Sequence, residues 1–318
     1  MTADLHATAE VLADLEAVLD PARPEATDGV TVVGYGEVSV CLRVAELDGV
    51  VSKRMSGFRD AAAAERYLAL VEEYLQALRT GGVDVVDTAL VTVPRAGRAP
   101  VVHLVQPELP AATLGHSLLR TADDEVVART LSQVLEAVAG LHAANAARTD
   151  GVEVALDGQL SNWWFAAAET ADRGPVLVDV GTPFMRRGRE HLVDTTWLES
   201  PIPAGLRLYY RRRGLVGAYL DDYYDPRLVA VDLLGNFHKE GRPDRLPLGL
   251  EVVNSWLLSH RGALPSTTPV TAEEVERYYR SDADLLALYL RLRRADRFLK
   301  TRVLRRPYDF VLPGPVAR

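Results

Sequence analysis

The alternation of apolar and polar residues divides the chain into a strand-rich N-terminal part and a longer helical part. Five short runs between residues 29 and 109 are rich in β-branched residues, and glycine, proline or Asp-Gly separates them. These runs are GVTVVGYG, VSVCLRVAEL, DGVVSKRM, VVDTALVTV and APVVHLVQPEL. The pattern predicts a meander of about five antiparallel strands.

Helical spacing of apolar residues appears before, within and after this set of strands. Residues 4 to 19 predict an N-terminal helix that ends before PARPEATDG, and RDAAAAERYLALVEEYLQALRTGG predicts a helix between the third and fourth strands. From about residue 110 the pattern is mostly helical up to about residue 304, beginning at Asp123 or Asp124 as a cap. Two short strands, VEVAL and PVLVDV, interrupt it. We therefore expect an extension over 1–27, a smaller lobe over 28–107 and a larger lobe over 108–318.

Composition limits the class of protein. The chain has 318 residues, 48% hydrophobic and 25% charged, which is typical of a globular protein. One cysteine, Cys41, excludes an intramolecular disulfide, and with seven histidines we expect any metal to arrive with a ligand. The acidic N-terminal segment lacks the pattern of a secretion signal, and no run of apolar residues is long enough to span a membrane, so we expect a cytoplasmic protein.

The net charge points to small partners. Thirty-six basic and 44 acidic residues give −8, which has the wrong sign for coating nucleic acid or an anionic membrane. Small molecules or peptides are the expected partners, with no nucleic acid and no membrane. The oligomeric state stays open, because the N-terminal helix could pack on the smaller lobe or join a second subunit.

Two features of the smaller lobe are candidates for binding phosphate. The turn GYGEVS, residues 34–39, lies between two strands, and its glycines allow backbone amides to approach an anion; a purely structural turn is the alternative. Lys53, one of only three lysines, ends the strand DGVVSK and could pair with phosphate oxygens if a carboxylate positioned it. Glu65 or Glu72, which share a helix face, could supply that carboxylate, or both could be solvated.

Two features of the larger lobe are candidates for catalysis and metal binding. Asp157 and Asn162 in LDGQLSNWWF have the spacing that puts a carboxylate near a substrate hydroxyl and an amide oxygen near Mg²⁺. An Asp-Gly turn with an Asn cap is the alternative. Asp179 closes the apolar strand PVLVDV, where a carboxylate is costly unless it is paired or binds a cation. A turn-capping aspartate competes with that interpretation.

The order of these features resembles the protein-kinase-like fold, in particular the small-molecule kinases of the aminoglycoside phosphotransferase and choline kinase type. GLHAAN at 140–145 is similar to the end of the long helix before the catalytic loop of that family, and the resemblance covers roughly residues 28 to 185. It implies an α+β, two-lobed fold with a small antiparallel-sheet N-lobe carrying one helix and a larger, mainly helical C-lobe. It also implies ATP, Mg²⁺ and a small-molecule hydroxyl as acceptor. By position it assigns phosphate contacts to Gly34, Gly36 and Ser39, the lysine–carboxylate pair to Lys53 and Glu65, adenine contacts to the backbone from Gln106 to Glu108, the catalytic base to Asp157, and Mg²⁺ to Asn162 and Asp179.

The chain departs from the family pattern in two places. Ala155 stands where the family has a scaffold histidine two residues before the catalytic aspartate, and AAETADRGP, residues 167–175, lengthens the connection to Asp179 as an expected hairpin insertion. Two alternatives therefore stay open: a nucleotide-binding pseudokinase that docks a partner, and a kinase of a peptide serine or threonine.

The acceptor is less defined. An acidic cluster suits a cationic acceptor, whereas a basic run just after Asp179 suits a carboxylate or phosphate. The cluster consists of Asp221, Asp222 and Asp225, and the run of Arg186, Arg187 and Arg189. The segment DLLGNFHKE, residues 232–240, is interpreted as a possible loop near the acceptor.

Overall fold

The computed structural model describes residues 5–36, 38–166 and 174–313, and these form two lobes. The smaller lobe is built from eight elements. They are α1 (Leu5–Val18), β1 (Val30–Tyr35), β2 (Ser39–Val44), β3 (Val50–Met55), α2 (Ala61–Thr80), β4 (Asp84–Val85), β5 (Ala89–Arg95) and β6 (Arg98–Pro107).

Five of these strands form one antiparallel sheet in the order β1-β2-β3-β6-β5. The expected five strands are present, but the simple meander is wrong. Helix α2 follows β3 in the chain. The β5–β6 hairpin then joins the sheet through its second strand, β6, which pairs with β3 and places Lys53 opposite Leu104. Strand β4 leaves this sheet and pairs in parallel with a strand of the larger lobe.

Helix α2 begins and ends where its sequence predicts. The side chain of Asp60 accepts a hydrogen bond from the Ala63 amide at 2.8 Å, which satisfies one of the unpaired donors of the first turn, and the helix stops at Gly81. One face, including Tyr67, Val71 and Leu78, is buried between the lobes.

The larger lobe is mainly helical. Its elements are α3 (Gly115–Thr121), α4 (Asp124–Ala147), β7 (Val152–Val154), β8 (Trp163–Trp164), β9 (Val176–Leu177), β10 (Met185–Arg187), β11 (Glu190–His191), α5 (Thr195–Leu198), α6 (Ala204–Arg213), α7 (Leu215–Asp221), α8 (Pro226–Lys239), α9 (Leu246–Ser259) and α10 (Ala272–Phe298). Asp123 caps α4 by accepting from the Val126 amide. A five-residue π-helical turn, Leu299–Val303, follows α10.

The short strands of this lobe form two three-stranded sheets, β11-β10-β7 and β4-β9-β8. They carry the loops that enter the space between the lobes. The molecule thus has the α+β, two-lobed, kinase-like fold: an antiparallel sheet with one helix between the lobes, joined to a larger helical lobe. Among the described residues, no helix combines the length and the apolar character needed to cross a membrane.

Both ends of the described chain cover the outer face of the five-stranded sheet. Leu12 and Leu15 of α1 pack with Val311 and the valines of the sheet. The N-terminal helix therefore packs on the smaller lobe of its own chain, which was one of the two open possibilities.

Buried charges fix the two ends in place. Arg54 of β3 binds both carboxylate oxygens of Glu16, at 2.5 and 2.9 Å, and donates to the backbone oxygen of Asp309 at 2.8 Å. The Asp309 carboxylate in turn binds Arg95 and Arg98. The C-terminal segment is thereby attached to the smaller lobe, although its sequence position is after α10.

Candidate active site

Lys53 and Asp179 join the two lobes. Lys53 leaves β3 toward the inter-lobe space, and its Nζ lies 2.5 Å from Oδ1 of Asp179 at the end of β9. The lysine side chain is 10% exposed, whereas that of Asp179 is 39% exposed and faces the cavity. Burial lowers the pKa of Lys53, but the Asp179 charge outweighs it and the net pKa is raised. Burial raises the pKa of Asp179, and Lys53 reverses this to give a lowered pKa. Both groups are therefore charged at neutral pH.

Glycines keep the surroundings of this pair open. A Cβ at Gly181 would lie 3.1 Å from Lys53 Nζ, so a side chain there would displace the lysine. The Gly181 amide donates to Asp179 Oδ1 at 3.1 Å, and its oxygen accepts from the Tyr67 hydroxyl at 2.8 Å. The loop after Asp179 is thus fixed by its own backbone and by helix α2.

The glycine turn reaches the same cavity through its second glycine. Gly36 and Ser39 line the cavity, and the Gly36 amide donates to the Ser39 backbone oxygen at 3.1 Å. A Cβ on Gly36 would lie 2.4 Å from Ser39 Oγ, so a side chain here would force the Ser39 hydroxyl to move. Gly34 lies within β1 and is not among the lining residues; a Cβ there would meet only ordinary contact with Cys41. Glu37 lies outside the described residues.

The loop that carries Asp157 is anchored by α4. Asn145, the last residue of GLHAAN, donates to the Val154 oxygen at 2.7 Å and accepts from the Val154 amide at 2.9 Å, which fixes β7 against the helix end. Ala155 has no side chain to do what a scaffold histidine does. Its amide donates to the Phe184 oxygen and its oxygen accepts from the Tyr74 hydroxyl, both at 2.8 Å. Backbone hydrogen bonds and α2 therefore hold this position.

Asp157 enters the cavity with its carboxylate held by the next turn. The Gln159 amide donates to Asp157 Oδ1 at 2.9 Å. Burial raises the pKa of Asp157 to about 6, assisted by the Asp179 charge and opposed by that hydrogen bond and by Lys239. A carboxylate with a pKa near neutrality is ionised at pH 7 yet is a better proton acceptor than an ordinary aspartate.

Asn162 and Asp179 fit a magnesium ion. The Val178 amide donates to the Asn162 backbone oxygen at 2.8 Å, which holds the two loops side by side, and both side chains line the cavity. An amide and a carboxylate offer the oxygen ligands that Mg²⁺ prefers, and Mg²⁺ usually takes its other ligands from water and phosphates. The described residues contain no cluster of three or more His, Cys, Asp or Glu that could hold a metal ion.

The far wall of the cavity comes from α8, whose segment 232–240 the sequence suggested near the acceptor, and from α10, which the sequence did not assign to the site. Segment 232–240 is helix and not loop, because it continues the apolar face of α8 that packs in the core. Its cavity-lining residues are Asp232, Gly235, Asn236 and Lys239, and α10 adds Tyr278, Tyr279, Asp282 and Tyr289. The signal available in the sequence was a lone Asp and Asn, four residues apart, within an otherwise apolar stretch.

Two oxygen atoms of this wall are acceptors without a protein donor in the described structure, namely Asp232 Oδ2 and Asn236 Oδ1. Asn236 is only 1% exposed. Burial and the nearby Asp157 charge raise the pKa of Asp232 to about 7. Lys239 bonds Gln159 Oε1 at 2.7 Å and is therefore attached to the Asp157 loop. This end of the cavity presents acceptors to a ligand that donates.

Three predicted nucleotide contacts are not brought to the cavity. Glu65, like Glu72, is exposed on α2 because both lie opposite the buried stripe of that helix, and the carboxylate on Lys53 is Asp179 instead. Gln106 is buried and donates to Thr88 Oγ1 and to the Val178 oxygen. Glu108 binds Arg43, and its amide donates to the Gly49 oxygen. The Gln106 and Glu108 side chains and the Glu108 amide are thus paired within the protein.

The acidic cluster and the basic run, which favour opposite kinds of acceptor, are joined by an ion pair. Arg186 Nη1 lies 2.9 Å from Asp221 Oδ1, and Arg186 also pairs with Glu153. Asp225 caps α8. None of the acidic cluster or of the basic run lines the cavity. The insertion AAETADRGP lies outside the described residues, apart from its last two positions.

Comparison with known proteins gives a family and two weak structural likenesses. Curated protein sequences gave no match. The chain is similar to "WaaP in complex with acyl carrier protein", with 18% identity, 73% of this chain and 92% of that chain covered and a TM-score of 0.32. It is also similar to the "bifunctional kinase-methyltransferase WbdD", with 14% identity, coverage of 78% and 49%, and a TM-score of 0.30, so it spans about half of that protein. The model of DUF6206, a family of unknown function, matches residues 14–297, and the chain belongs to that family.

Proposed function

We propose that this protein transfers the γ-phosphoryl group of ATP to a hydroxyl of a small molecule. One observation carries the proposal. Gly36 and Lys53 of the sheet and Asp157, Asn162 and Asp179 of the larger lobe line one cavity of about 680 Å³. Phosphoryl transfer needs this combination, because its catalysis consists of positioning the reactants and stabilising charge on the transferred group. With it we retain the division into a nucleotide lobe, 28–107, and an acceptor lobe, 108–318, after an extension over 1–27.

The phosphate end of the cavity is the part around Lys53. Asp179 keeps the lysine extended toward the larger lobe, and a bound nucleotide would receive hydrogen bonds from its ammonium group. The Gly36 turn covers the phosphates from the sheet side. Asn162 and Asp179 would hold Mg²⁺, which supplies positive charge against the β- and γ-phosphate oxygens.

The transfer step places Asp157 beside the acceptor hydroxyl. The hydroxyl oxygen forms a bond to the γ-phosphorus while the bond from that phosphorus to the β,γ-bridging oxygen breaks, and ADP leaves. The proton of the hydroxyl passes to Asp157. Its pKa of about 6 suits this role because the carboxylate is free at neutral pH and still holds a proton well enough to take it during the reaction.

The wall opposite the phosphates supports an acceptor with several donor groups. Buried acceptors without partners cost free energy, and a hydroxyl or amine donor removes that cost. Asp232 Oδ2 and Asn236 Oδ1 are such acceptors. The tyrosines of α10 add flat, partly polar surface beside them. A natural-product-like or aminoglycoside-like alcohol fits this arrangement.

Thermal unfolding with ATP or ADP, with and without Mg²⁺, tests the nucleotide site. At a hundredfold excess over Kd a bound ligand adds about 2.7 kcal/mol to stability, which shifts Tm by about 5 °C in a chain of this size. We expect a Mg²⁺-dependent shift that Asp179→Ala abolishes and that Asp150→Ala, an exposed control, retains. ADP release with a panel of alcohols then tests transfer, which Asp157→Asn should remove. No shift at millimolar nucleotide contradicts the proposal.

A further inference from the structure

The net charge of −8 conceals a strong separation of charge along the chain. Residues 207–215 and 285–306 contain 12 of the 36 basic residues and a single acidic one, Asp296. The rest of the chain therefore has 24 basic and 43 acidic residues. We call these two segments the arginine-rich rim. Seven of its arginines are exposed: Arg211, Arg212, Arg213, Arg291, Arg302, Arg305 and Arg306.

The same two segments expose most of the large apolar side chains. Of the thirteen large hydrophobic residues exposed in the described structure, nine belong to the rim. They are Leu208, Tyr209, Leu215, Leu285, Leu288, Phe298, Leu299, Val303 and Leu304. Phe298 and Val303 are 64% and 60% exposed. Apolar residues clustered among cations at this density mark an interaction surface and not ordinary solvent contact.

Spacing within the longer segment makes the exposed apolar residues contiguous. Leu285, Leu288, Leu292 and Leu299 recur at intervals of three, four and seven residues, which places them on one stripe of α10 and the turn that follows. That stripe lies beside the buried face that carries Val275 and Arg293. The helix thus has one face in the core and a second, apolar face with cations on its flank.

The rim reaches the opening of the cavity at two residues. Leu215 of α7 and Leu285 of α10 line the cavity and are also 38% and 49% exposed, so they lie where the cavity meets solvent. Each of the two segments, far apart in the sequence, therefore contributes a residue to the mouth. A surface that docks on the rim lies against the entrance to the candidate active site.

We propose that the arginine-rich rim docks this protein on an anionic lipid surface. Charge complementarity argues for an anionic occupant, since the rim is positive in an otherwise acidic molecule. The exposed leucines, Phe298 and Val303 argue for lipid, because aliphatic side chains gain free energy in the boundary between headgroups and acyl chains. Basic residues beside such side chains add electrostatic attraction to anionic headgroups.

Docking of the rim places the lipid surface beside the cavity mouth. With the rim on the lipid, the entrance opens toward the headgroups, and the acceptor enters as the hydroxyl headgroup of an amphiphile whose tail stays in the lipid. This choice of acceptor rests on the proposed phosphoryl transfer. The docking itself does not, so the two can fail separately.

Vesicle co-sedimentation of the full chain without nucleotide tests the docking. The probes are vesicles of phosphatidylcholine alone and of phosphatidylcholine mixed with phosphatidylglycerol. We expect binding only to the mixed vesicles, and loss of most of it at about 1 M salt, where the Debye length falls to about 3 Å. Arg302→Glu with Arg306→Glu should weaken partitioning at least about tenfold, because each cation near the surface contributes about fivefold.

Two further variants separate lipid docking from the other possible occupants. Phe298→Ser with Val303→Ser should weaken binding at unchanged charge, and Leu258→Ser with Arg261→Glu, which removes an exposed leucine and an exposed arginine of the α9 end, should leave it within twofold. Equal binding to neutral vesicles, no binding to either, or equal binding of all variants overturns the proposal. So does a dimer in light scattering that Phe298→Ser with Val303→Ser dissociates, which would make the rim a contact between copies.

Discussion

Lys53 and Arg54 are consecutive residues of β3, so their side chains lie on opposite faces of the sheet. Lys53 pairs with Asp179 on one face, and Arg54 pairs with Glu16 on the other. The Arg54–Glu16 pair is closed, because both side chains are 2% exposed and the guanidinium binds both carboxylate oxygens. The Lys53–Asp179 pair is open, because Asp179 keeps 39% of its surface toward the cavity. Arginine suits a fixed bidentate contact, and lysine suits a contact that a ligand can share. The comparison separates a structural clamp from a pair available for binding.

Removing one partner of the closed pair should give the largest change in stability. Glu16→Ala leaves Arg54 buried without a counter-charge, which costs about 3–5 kcal/mol of unfolding free energy. Urea unfolding measures it, with Glu276→Ala, which breaks the exposed pair with Arg280, as the control at about 0.5 kcal/mol. Replacing both partners, Glu16→Leu with Arg54→Met, should recover most of the loss. Equal losses for the buried and the exposed pair would contradict the distinction.

Removing the cation of the open pair should affect activity and leave stability almost unchanged. Lys53→Met deletes the hydrogen bonds to phosphate, and we expect kcat/KM for ATP to fall about 10²-fold or more, since donors to transferred phosphates and oxyanions contribute at this level. The unfolding free energy should change by about 1 kcal/mol or less, because Asp179 stays partly hydrated. ADP release and urea unfolding provide the two readouts. A loss of unfolding free energy as large as that of Glu16→Ala would show that Lys53 mainly stabilises the fold, which would contradict the distinction between the two pairs.

Glu16 of the closed pair and Asp157, which lines the cavity of the open pair, should respond to pH with opposite signs. Burial acts against ionised Glu16, but bonds from His103 and Arg54 lower its pKa to about 2 from 4.5, so its stabilisation is complete above pH 4.5 and is lost as the pH falls toward 2. The raised pKa of Asp157 means that its charge destabilises the fold above about pH 6 and ceases to do so as the pH falls toward 3.8. Asp157→Asn should therefore raise Tm at pH 8 but not at pH 4.

The same pKa sets the activity profile. Turnover should fall about tenfold per pH unit below about 6, as protonation removes the base. Rates from pH 4.5 to 8 check this, with Asp150→Ala retaining the profile. A rate independent of pH through this range would remove Asp157 from the proton transfer.

The smallest effect is expected from Glu65, which the family resemblance paired with Lys53. Glu65→Ala changes an exposed side chain of α2, so kcat/KM should stay within twofold and stability within about 0.5 kcal/mol. Tyr67→Phe, which deletes the hydroxyl bonded to the Gly181 oxygen, should have the larger effect of the two on activity. A loss for Glu65→Ala like that for Lys53→Met would restore the lysine–glutamate pair.

Local signals predicted the elements well. Asp123 and the glycines after α2 marked helix ends in the sequence, because capping depends on residues a few positions apart. The five strands of the sheet were also found. The sequence did not predict how α2 is rotated about its axis relative to Lys53, because that rotation depends on which face of the helix packs against the core. That face brings Tyr67 inward and leaves Glu65 outside.

Contacts between distant segments were the main part of the site that the sequence did not predict. Asp232 and Asn236 lie about 75 residues after Asp157 in an apolar helix, and their periodicity is typical of core as much as of a wall. The C-terminal residues gave no pattern that predicts their return to the smaller lobe. The whole-chain net charge does not describe how charge is distributed, because residues 207–215 and 285–306 hold 12 of the 36 basic residues and one acidic residue.

The C-terminal segment changes how the cleft between the lobes can move. Phe310 lies against Gly57, where a Cβ would come within 2.5 Å of its ring, and Asp309 binds Arg54, Arg95 and Arg98 of the smaller lobe. Tyr308 meanwhile contacts Arg293 of α10. The lobes are therefore connected twice. One connection is the segment after β6, and the other is the C-terminal segment after α10, which returns to the smaller lobe. Two connections restrict how far the lobes can move apart. Ligand exchange should therefore proceed through displacement of the glycine turn and of α7 and α10, which carry Leu215 and Leu285 at the entrance.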